Sequence, residues 1–403
     1  DDWLFKWSRR FIMSEFQASN FKKENGGTPD LLGKTELTSP YFFVPPSGTT
    51  AERPESCAAG TLRFNTDIGT LEVYRGDIVG WEQIQRNEIH DGIYPEARGF
   101  HVGARPGPGE LNNIEFIRFA SLGNPVDFGD KIHGLNGGNY NQGAFASITR
   151  GFVYGGRYPG SPTAFNNAIE FITMSTLGNG TDFGDLTEGV QHPAGCSDKT
   201  RGVKMGGTRS AGPQPYQAAG TNVMDFVTMA SQGDAIDFGD TYNANMYGFN
   251  GACNDRTRGV RFGGGSPAPF NTDVIDYITI QSQGNSVDFG DMTSNTTYNC
   301  AASNSVRGLS AGDATNNDAA IDAVTIATTG NAVDFGDMAT NVAARQACSS
   351  PLKMAIMGGG APAYSSNCEF VNISTFGNGV DFGGASAAWG FSHDFSNCHG
   401  GLA

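Results

Sequence analysis

Six segments of this chain spell one pattern, and that repetition constrains the fold more than any other feature. They are IEFIRFASLGNPVDFGD (114–130), IEFITMSTLGNGTDFGD (169–185), MDFVTMASQGDAIDFGD (224–240), IDYITIQSQGNSVDFGD (275–291), IDAVTIATTGNAVDFGD (321–337) and CEFVNISTFGNGVDFGG (368–384). The Asp-Phe-Gly steps fall at 127, 182, 237, 288, 334 and 381, giving periods of 55, 55, 51, 46 and 47 residues. A second motif precedes each: RGFHVGA (98–104), RGFVYGG (150–156), RGVKMGG (201–207), RGVRFGG (258–264), RGLSAG (307–312) and the degenerate KMAIMGG (353–359). Periods of this size mark units that bury their apolar faces only against their neighbours.

Each unit reads as about four short antiparallel strands. In Ile275-Asp276-Tyr277-Ile278-Thr279-Ile280, branched and aromatic residues suit a pleated surface. Gly284-Asn285 then supplies the pair that a two-residue hairpin turn favours. Upstream, a Gly/Ala/Cys-rich strand such as Gly248–Cys253 turns through Asn254-Asp255-Arg256 into the Arg-Gly strand. No helical period is present in 98–402. The expected fold is all-β, a six-bladed β-propeller of kelch-like four-stranded repeats preceded by a small N-terminal β module. The small-residue strand suits the crowded innermost position. No such strand precedes Arg98, while 389–398 (WGFSHDFSNC) resembles YGFNGACND, so the C-terminal strand is expected to complete the first blade. An extended β-solenoid or a trimeric β-prism is the competing architecture.

Composition removes several function classes. The net charge is −15 and the 26 Lys and Arg form no basic run, which argues against nucleic acid. No run approaches the roughly 18 apolar residues of a membrane helix, and the 57 Gly follow no collagen period. The seven Cys are an odd number with no Cys-x-x-Cys, so neither a full disulfide set nor a zinc site is expected. Cys196, Cys253 and Cys348 lie five residues before the same repeat position and Cys300 seven before it, as small fillers of a repeated core would. Free thiols imply folding in a reducing cytoplasm. Residues 1–12 (DDWLFKWSRRFI) lack a signal peptide's apolar run and read as an upstream extension or an anchor.

Most short motifs read as structure. Asp-Phe-Gly recurs without the other parts of a kinase site, so its Phe is expected in the core, its Gly at the strand end and its Asp at a turn. The pairs Asp127/Asp130 through Asp334/Asp337 offer oxygens for calcium, yet turn capping and solvation explain them better. Gly33-Lys34-Thr35 lacks a phosphate loop's spacing, and Arg75-Gly76-Asp77 reads as a hairpin turn. The six His suggest no nucleophile-base-acid set. No enzyme activity, catalytic residue, cofactor or metal is expected.

Strand parity sends the tight turns to one end and both long loop classes to the other. The loops 104–113, 157–168, 208–222, 265–274, 312–320 and 360–367 carry Tyr158, Phe165, Tyr216, Phe270 and Tyr364 among Ser, Gly, Asn and Pro. These five are the candidate receptor-face residues, on a surface suited to sugars.

Residues 13–92 do not repeat. GTLRFNTD (60–67) and TLEVY (70–74) read as two strands around Ile68-Gly69. The block PSGTTAERP…GTLRFNTDIGTLEVYRG…GWEQI resembles a module of tail-fibre and other structural proteins of tailed bacteriophages. The RGVxxGG…IDYITIxSxGNxxDFGD repeat resembles repeats in virion proteins of phages infecting marine cyanobacteria and other marine bacteria. The resemblance covers about 47–402 and implies a virion structural protein, assembled in the bacterial cytoplasm, and no catalytic residues. Residues 1–46 are then an extended anchoring segment, 47–92 a docking module and 93–403 the propeller. The expected partners are other virion proteins through 1–92, a host surface glycan or protein, and further copies of the chain, as in a trimer. The alternatives are a capsid-decorating or baseplate protein, or a fibre-borne glycan depolymerase.

Overall fold

The structure is a computed structural model. It describes residues 45–54, 57–67, 70–77, 80–83, 97–104, 111–132, 141–157, 165–210, 218–242, 250–265, 272–313, 318–360 and 363–402. Contacts group the chain into two units, Asp1–Asn87 and Glu88–Ala403. Among the described residues there is no α-helix, and one 3-10 turn at Thr50–Glu52 interrupts the strands.

The first unit is a four-stranded sheet in the order Ser47–Gly48, Leu62–Asn65, Thr70–Tyr74, Trp81–Gln83. The two central strands form the expected antiparallel pair. Its interior is polar. Fully buried Glu72 accepts from Arg53 Nε at 3.2 Å and from Asn65 Nδ2 at 3.0 Å, with the Arg63 guanidinium 3.6 Å away. The Arg53 and Asn65 bonds hold its carboxyl below the usual range against the burial that would raise it. Arg75-Gly76-Asp77 lies in the turn before Trp81, where the Tyr74 hydroxyl donates to Asp77 at 2.5 Å.

The second unit is propeller-like, a succession of antiparallel sheets with one strand pattern. Each runs from a short inner strand through the Arg-Gly strand and the Ile-Asp/Glu strand to an outer Asp-Phe-Gly strand. Five sheets are contiguous in sequence, with inner strands Gly143–Ala146, Ala194–Ser197, Gly251–Asn254, Cys300–Ser303 and Gln346–Ser349. The sixth takes its inner strand from the far end of the chain: His393–Ser396 pairs antiparallel with Arg98–Ala104, next to Leu111–Arg118 and Val126–Asp130. The sheets are named here by repeat, this one being sheet 1 and that of Gln346–Ser349 sheet 6.

The Arg-Gly motif joins neighbouring sheets in both directions. Each Arg reaches a backbone carbonyl of the next sheet: Arg98 to Met174, Arg150 to Met229, Arg201 to Ile280, Arg258 to Ile326 and Arg307 to Ile373, at 2.7–3.0 Å. Each guanidinium also covers an aromatic ring, as Arg201 covers Phe226 at 4.2 Å. In the degenerate copy Lys353 keeps the role and points to Phe119 of sheet 1. The Gly looks the other way. A Cβ on Gly151, Gly202, Gly259 or Gly99 would collide with Phe395, Phe145, Cys196 or Cys348, the third inner-strand residue of the preceding sheet, and on Gly308 it would sit 2.5 Å from Cys253 Sγ. Sheet 5 offers only Ala302 at that slot, and there sheet 6 carries Met354 in place of Gly, within the same core cluster. The departure in KMAIMGG is therefore a volume exchange.

Two further stitches use the other motif. The third strand of every sheet carries a buried carboxylate: Glu115, Glu170, Asp225, Asp276, Asp322 and Glu369. Each accepts from the residue two past the Asp-Phe-Gly-Asp or Asp-Phe-Gly-Gly of the preceding sheet, as Ile132 N–H donates to Glu170 at 2.8 Å and Ser386 N–H to Glu115 at 3.5 Å. The sequence reading placed the hairpin turn at Gly-Asn. In sheet 2 the turn instead closes earlier, with Thr176 N–H on the Thr173 carbonyl. Gly178-Asn179 docks on the outer strand of sheet 1: Gly178 N–H bonds the Phe128 carbonyl at 3.1 Å, and Asp130 N–H bonds Asn179 Oδ1 at 3.0 Å. Gly129, at φ 149°, leaves room for this, since a Cβ there would sit 2.5 Å from the Gly178 carbonyl. The five Phe from Phe128 to Phe335 in this motif are 2–3 % exposed, each worth roughly 1.5–3 kcal/mol of burial.

Candidate functional site

The inner strands decide where a site can form. Their third residues pack between sheets, and their second residues, Ala144, Gly195, Ala252, Ala301, Ala347 and Asp394, line a shared cavity of about 50 Å³. Cys196, Cys253 and Cys348 occupy third positions; Cys300 is a first residue, with Ala302 in its third place. All four thiols are buried and unpaired, and burial raises each of them. Such thiols are poor nucleophiles.

One end of this cavity, where the Asn-Asp-Arg type turns lie, is closed by a chain of hydrogen bonds. Ser197 Oγ donates to the Ala146 carbonyl at 2.8 Å, Asn254 Nδ2 to Ser197 at 2.5 Å, and Ser303 Oγ to Asn254 at 2.7 Å. Ser349 Oγ continues to Ser303 at 2.7 Å and Ser396 Oγ to Ser349 at 2.5 Å. Ala146 has no donor to extend the chain, and the C-terminal tail packs here. His399 Nε2 donates to the Ala146 carbonyl at 3.0 Å, while Gly401 N–H donates to its Nδ1 at 3.2 Å. Burial pulls the His399 pKa down to about 4, against the upward pull of the Ala146 bond.

The other end, reached from the long-loop side, is built differently. Two residues before each described inner strand but Gly251–Asn254, the chain takes a left-handed conformation at a residue other than Gly: Asn141 (φ 61°), His192 (φ 53°), Tyr298 (φ 61°), Ala344 (φ 54°) and Phe391 (φ 61°). This conformation costs on the order of 1–2 kcal/mol at a bulky side chain. It turns backbone N–H groups from sheet to sheet: His192 to the Asn141 carbonyl at 2.6 Å, Asn141 to Phe391 at 3.4 Å and Phe391 to Ala344 at 3.3 Å. The rings of His192 and Phe391 meet Tyr298 edge-on at 6.4 and 6.0 Å. Together with Gln142, Pro193, Asn250, Asn299, Gln346 and His393 these residues line a mouth of about 40 Å³.

Among the described residues, four polar atoms of the mouth have no partner: Asn141 Oδ1, both amide atoms of Asn250 and His393 Nε2. Burial holds His192 and His393 well below the ordinary imidazole pKa, each further lowered by a nearby positive group. Both are therefore neutral near pH 7. Deeper in, His101 Nδ1 lies 2.6 Å from Asp394 Oδ1, and burial raises the Asp394 carboxyl. No cluster of three metal-ligating side chains occurs among the described residues.

Of the five residues expected on the receptor face, Tyr158, Tyr216 and Phe270 lie outside the described residues. Phe165 is half-buried and its backbone bridges Arg157. Tyr364 is half-buried just before Ser365–Asn372, on a different sheet from Phe165. The mouth itself was not foreseen. Its one trace in the sequence is the Gly-Phe pair before two inner strands, Gly248-Phe249 and Gly390-Phe391, of which Phe249 lies outside the described residues. Compared with known proteins, the chain matches no family model and no curated protein.

Proposed function

We propose that the six sheets are the blades of one closed propeller, and that the chain is a non-enzymatic structural protein of a bacteriophage virion. In this reading residues 1–92 hold the chain to the particle and the long-loop end faces the host cell. Support for closure comes from stitches that run from sheet 6 back to sheet 1: Lys353 to Phe119, Cys348 against Gly99, Ser386 to Glu115, and Gly384 N–H to Asn124 Oδ1. The virion reading is supported by the two motif resemblances in 47–402. The observation that carries the outward face is the gathering of polar atoms with no partner among the described residues at the strand ends from which the long loops leave. Recognition loops on a rigid scaffold follow this plan.

The test replaces Tyr158, Phe165, Tyr216, Phe270 and Tyr364 with Ala in assembled particles. Assembly is expected to persist and adsorption to host cells to fall at least tenfold, since one desolvated aromatic anchor is worth about 2 kcal/mol or more. Unchanged adsorption by intact particles favours the second reading, a capsid-decorating or baseplate protein packed among neighbours. That reading has its own support: Val126, Ile236, Val287, Val333 and Val380 open five outer strands and are 53–60 % exposed. A density map of the particle separates a displayed propeller from a wedged one.

A further inference from the structure

We propose that the mouth at the long-loop end is a binding site for the neutral, hydroxyl-bearing edge of a saccharide. The inference rests on the reading of that end as the recognition face and names the ligand class it takes.

Buried polar atoms are nearly always satisfied. Here His393 and Asn141 are only 7 % and 6 % exposed, yet among the described residues His393 Nε2 and Asn141 Oδ1 have no partner, and neither atom of the half-buried Asn250 amide has one. The set mixes donors and acceptors. A carboxylate or phosphate satisfies only donors and would set its oxygens against those of Asn141 and Asn250, whereas a hydroxyl both gives and accepts. The described lining carries no Lys, Arg, Asp or Glu, and its two imidazoles are neutral. The half-buried rings of Tyr298 and Phe391 supply an apolar wall of the kind that sugar C–H faces pack against. A volume of about 40 Å³ admits a hydroxymethyl group or a few waters, so the edge of a terminal sugar enters and the rest stays outside.

The local backbone fits this role. One left-handed conformation is shared by five sheets, while the side chains on it are Asn, His, Tyr, Ala and Phe. Gly would hold that conformation without strain. The bulky choices therefore answer to what the mouth contains.

The full chain, labelled with ¹³C in its histidine rings, is titrated with the methyl glycosides of glucose, galactose, mannose and N-acetylglucosamine. Glucuronate and inorganic phosphate serve as comparators. The expected result is a saturable shift of the His192 and His393 resonances with at least one neutral glycoside, weakened about tenfold or more by Asn250→Ala. Neither amide atom of Asn250 has a hydrogen-bond partner among the described residues, so this variant is expected to keep its fold, checked by an unchanged melting temperature. No saturable shift with any of the four glycosides overturns the proposal. So does a shift that Asn250→Ala leaves intact, or a stronger response to either anion. Particle adsorption is scored separately. Adsorption lost on loop substitution, with no glycoside shift, sinks this inference and leaves the host-contact reading. Glycoside binding with unaltered adsorption does the reverse.

Discussion

At the turn end of the inner strands, Ser197, Asn254, Ser303, Ser349 and Ser396 each donate to the neighbouring sheet, and His399 packs where Ala146 offers no hydroxyl. At the loop end, four of the five residues in the left-handed conformation pass backbone bonds between sheets, and Asn141, Asn250 and His393 keep polar atoms unmet among the described residues. Both ends belong to the same strands, four residues long in each sheet. The difference teaches where selection for packing stops. Side chains at the turn end repeat one chemistry because each completes its neighbour. Side chains at the loop end share only a backbone conformation, which frees their identity for a ligand.

The strongest way to break this contrast is to remove the turn-end closure altogether. Deleting 390–403 takes away the inner strand of sheet 1, with Phe395 stacked on Phe100 at 5.2 Å and filling the space left by Gly151, and the His399 tail. The expected loss is comparable to a whole domain's stability, about 5–15 kcal/mol. A truncated chain that melts cooperatively at the full-length temperature would show that this strand closes nothing.

A smaller change sharpens the packing rule. Gly151→Ala sets a Cβ into the Phe395 ring and is expected to cost about 1–3 kcal/mol, the usual penalty of overpacking. Phe395→Ala alone leaves a cavity and costs about 3–5 kcal/mol. Together they recreate a slot like that of Ala302 opposite Met354, so the double variant should be more stable than the sum of the two losses predicts. Strict additivity in denaturant melts would remove the volume-exchange account of KMAIMGG.

The repeat, its strand count and the small inner strand were legible because each is written in neighbouring residues. The purpose of Arg-Gly was not, since Arg98 and Gly99 serve two different neighbours, at Met174 and Cys348. The buried acids stood in plain view within IEFI and IDYI, but nothing in the local pattern marks them as buried. Their donors lie far along the chain, as Ile132 does from Glu170. Gly-Asn was read as a hairpin turn because its composition fits one, whereas docking on another sheet makes the same demand on φ. The mouth left almost no trace, because Asn141, His192, Tyr298 and Phe391 share a backbone angle and no side-chain type.

The mildest perturbation separates the two ends by proton linkage. The folded pKa of His399 is about 4, below the roughly 6.5 of an unfolded histidine. Between those values the unfolded chain takes up a proton that the folded chain refuses. The contribution of His399 to stability is therefore flat above about pH 6.5 and falls as the pH drops toward 4, by up to about 1.4 kcal/mol per pH unit. His192 and His393 at the mouth are depressed too and add slopes of the same sign. His399→Gln should cost about 1 kcal/mol at pH 7.5 through the lost bond to Ala146 and should remove one proton from the slope between pH 6.5 and 4.5. A saccharide seated at the mouth should stabilise the His399→Gln variant and the parent chain equally, since it touches the other end. Urea melts across that pH range, with and without methyl glycoside, read both effects. A slope unchanged by His399→Gln would mean that the tail is not buried against Ala146. A glycoside effect that disappears in the variant would mean that the two ends are coupled.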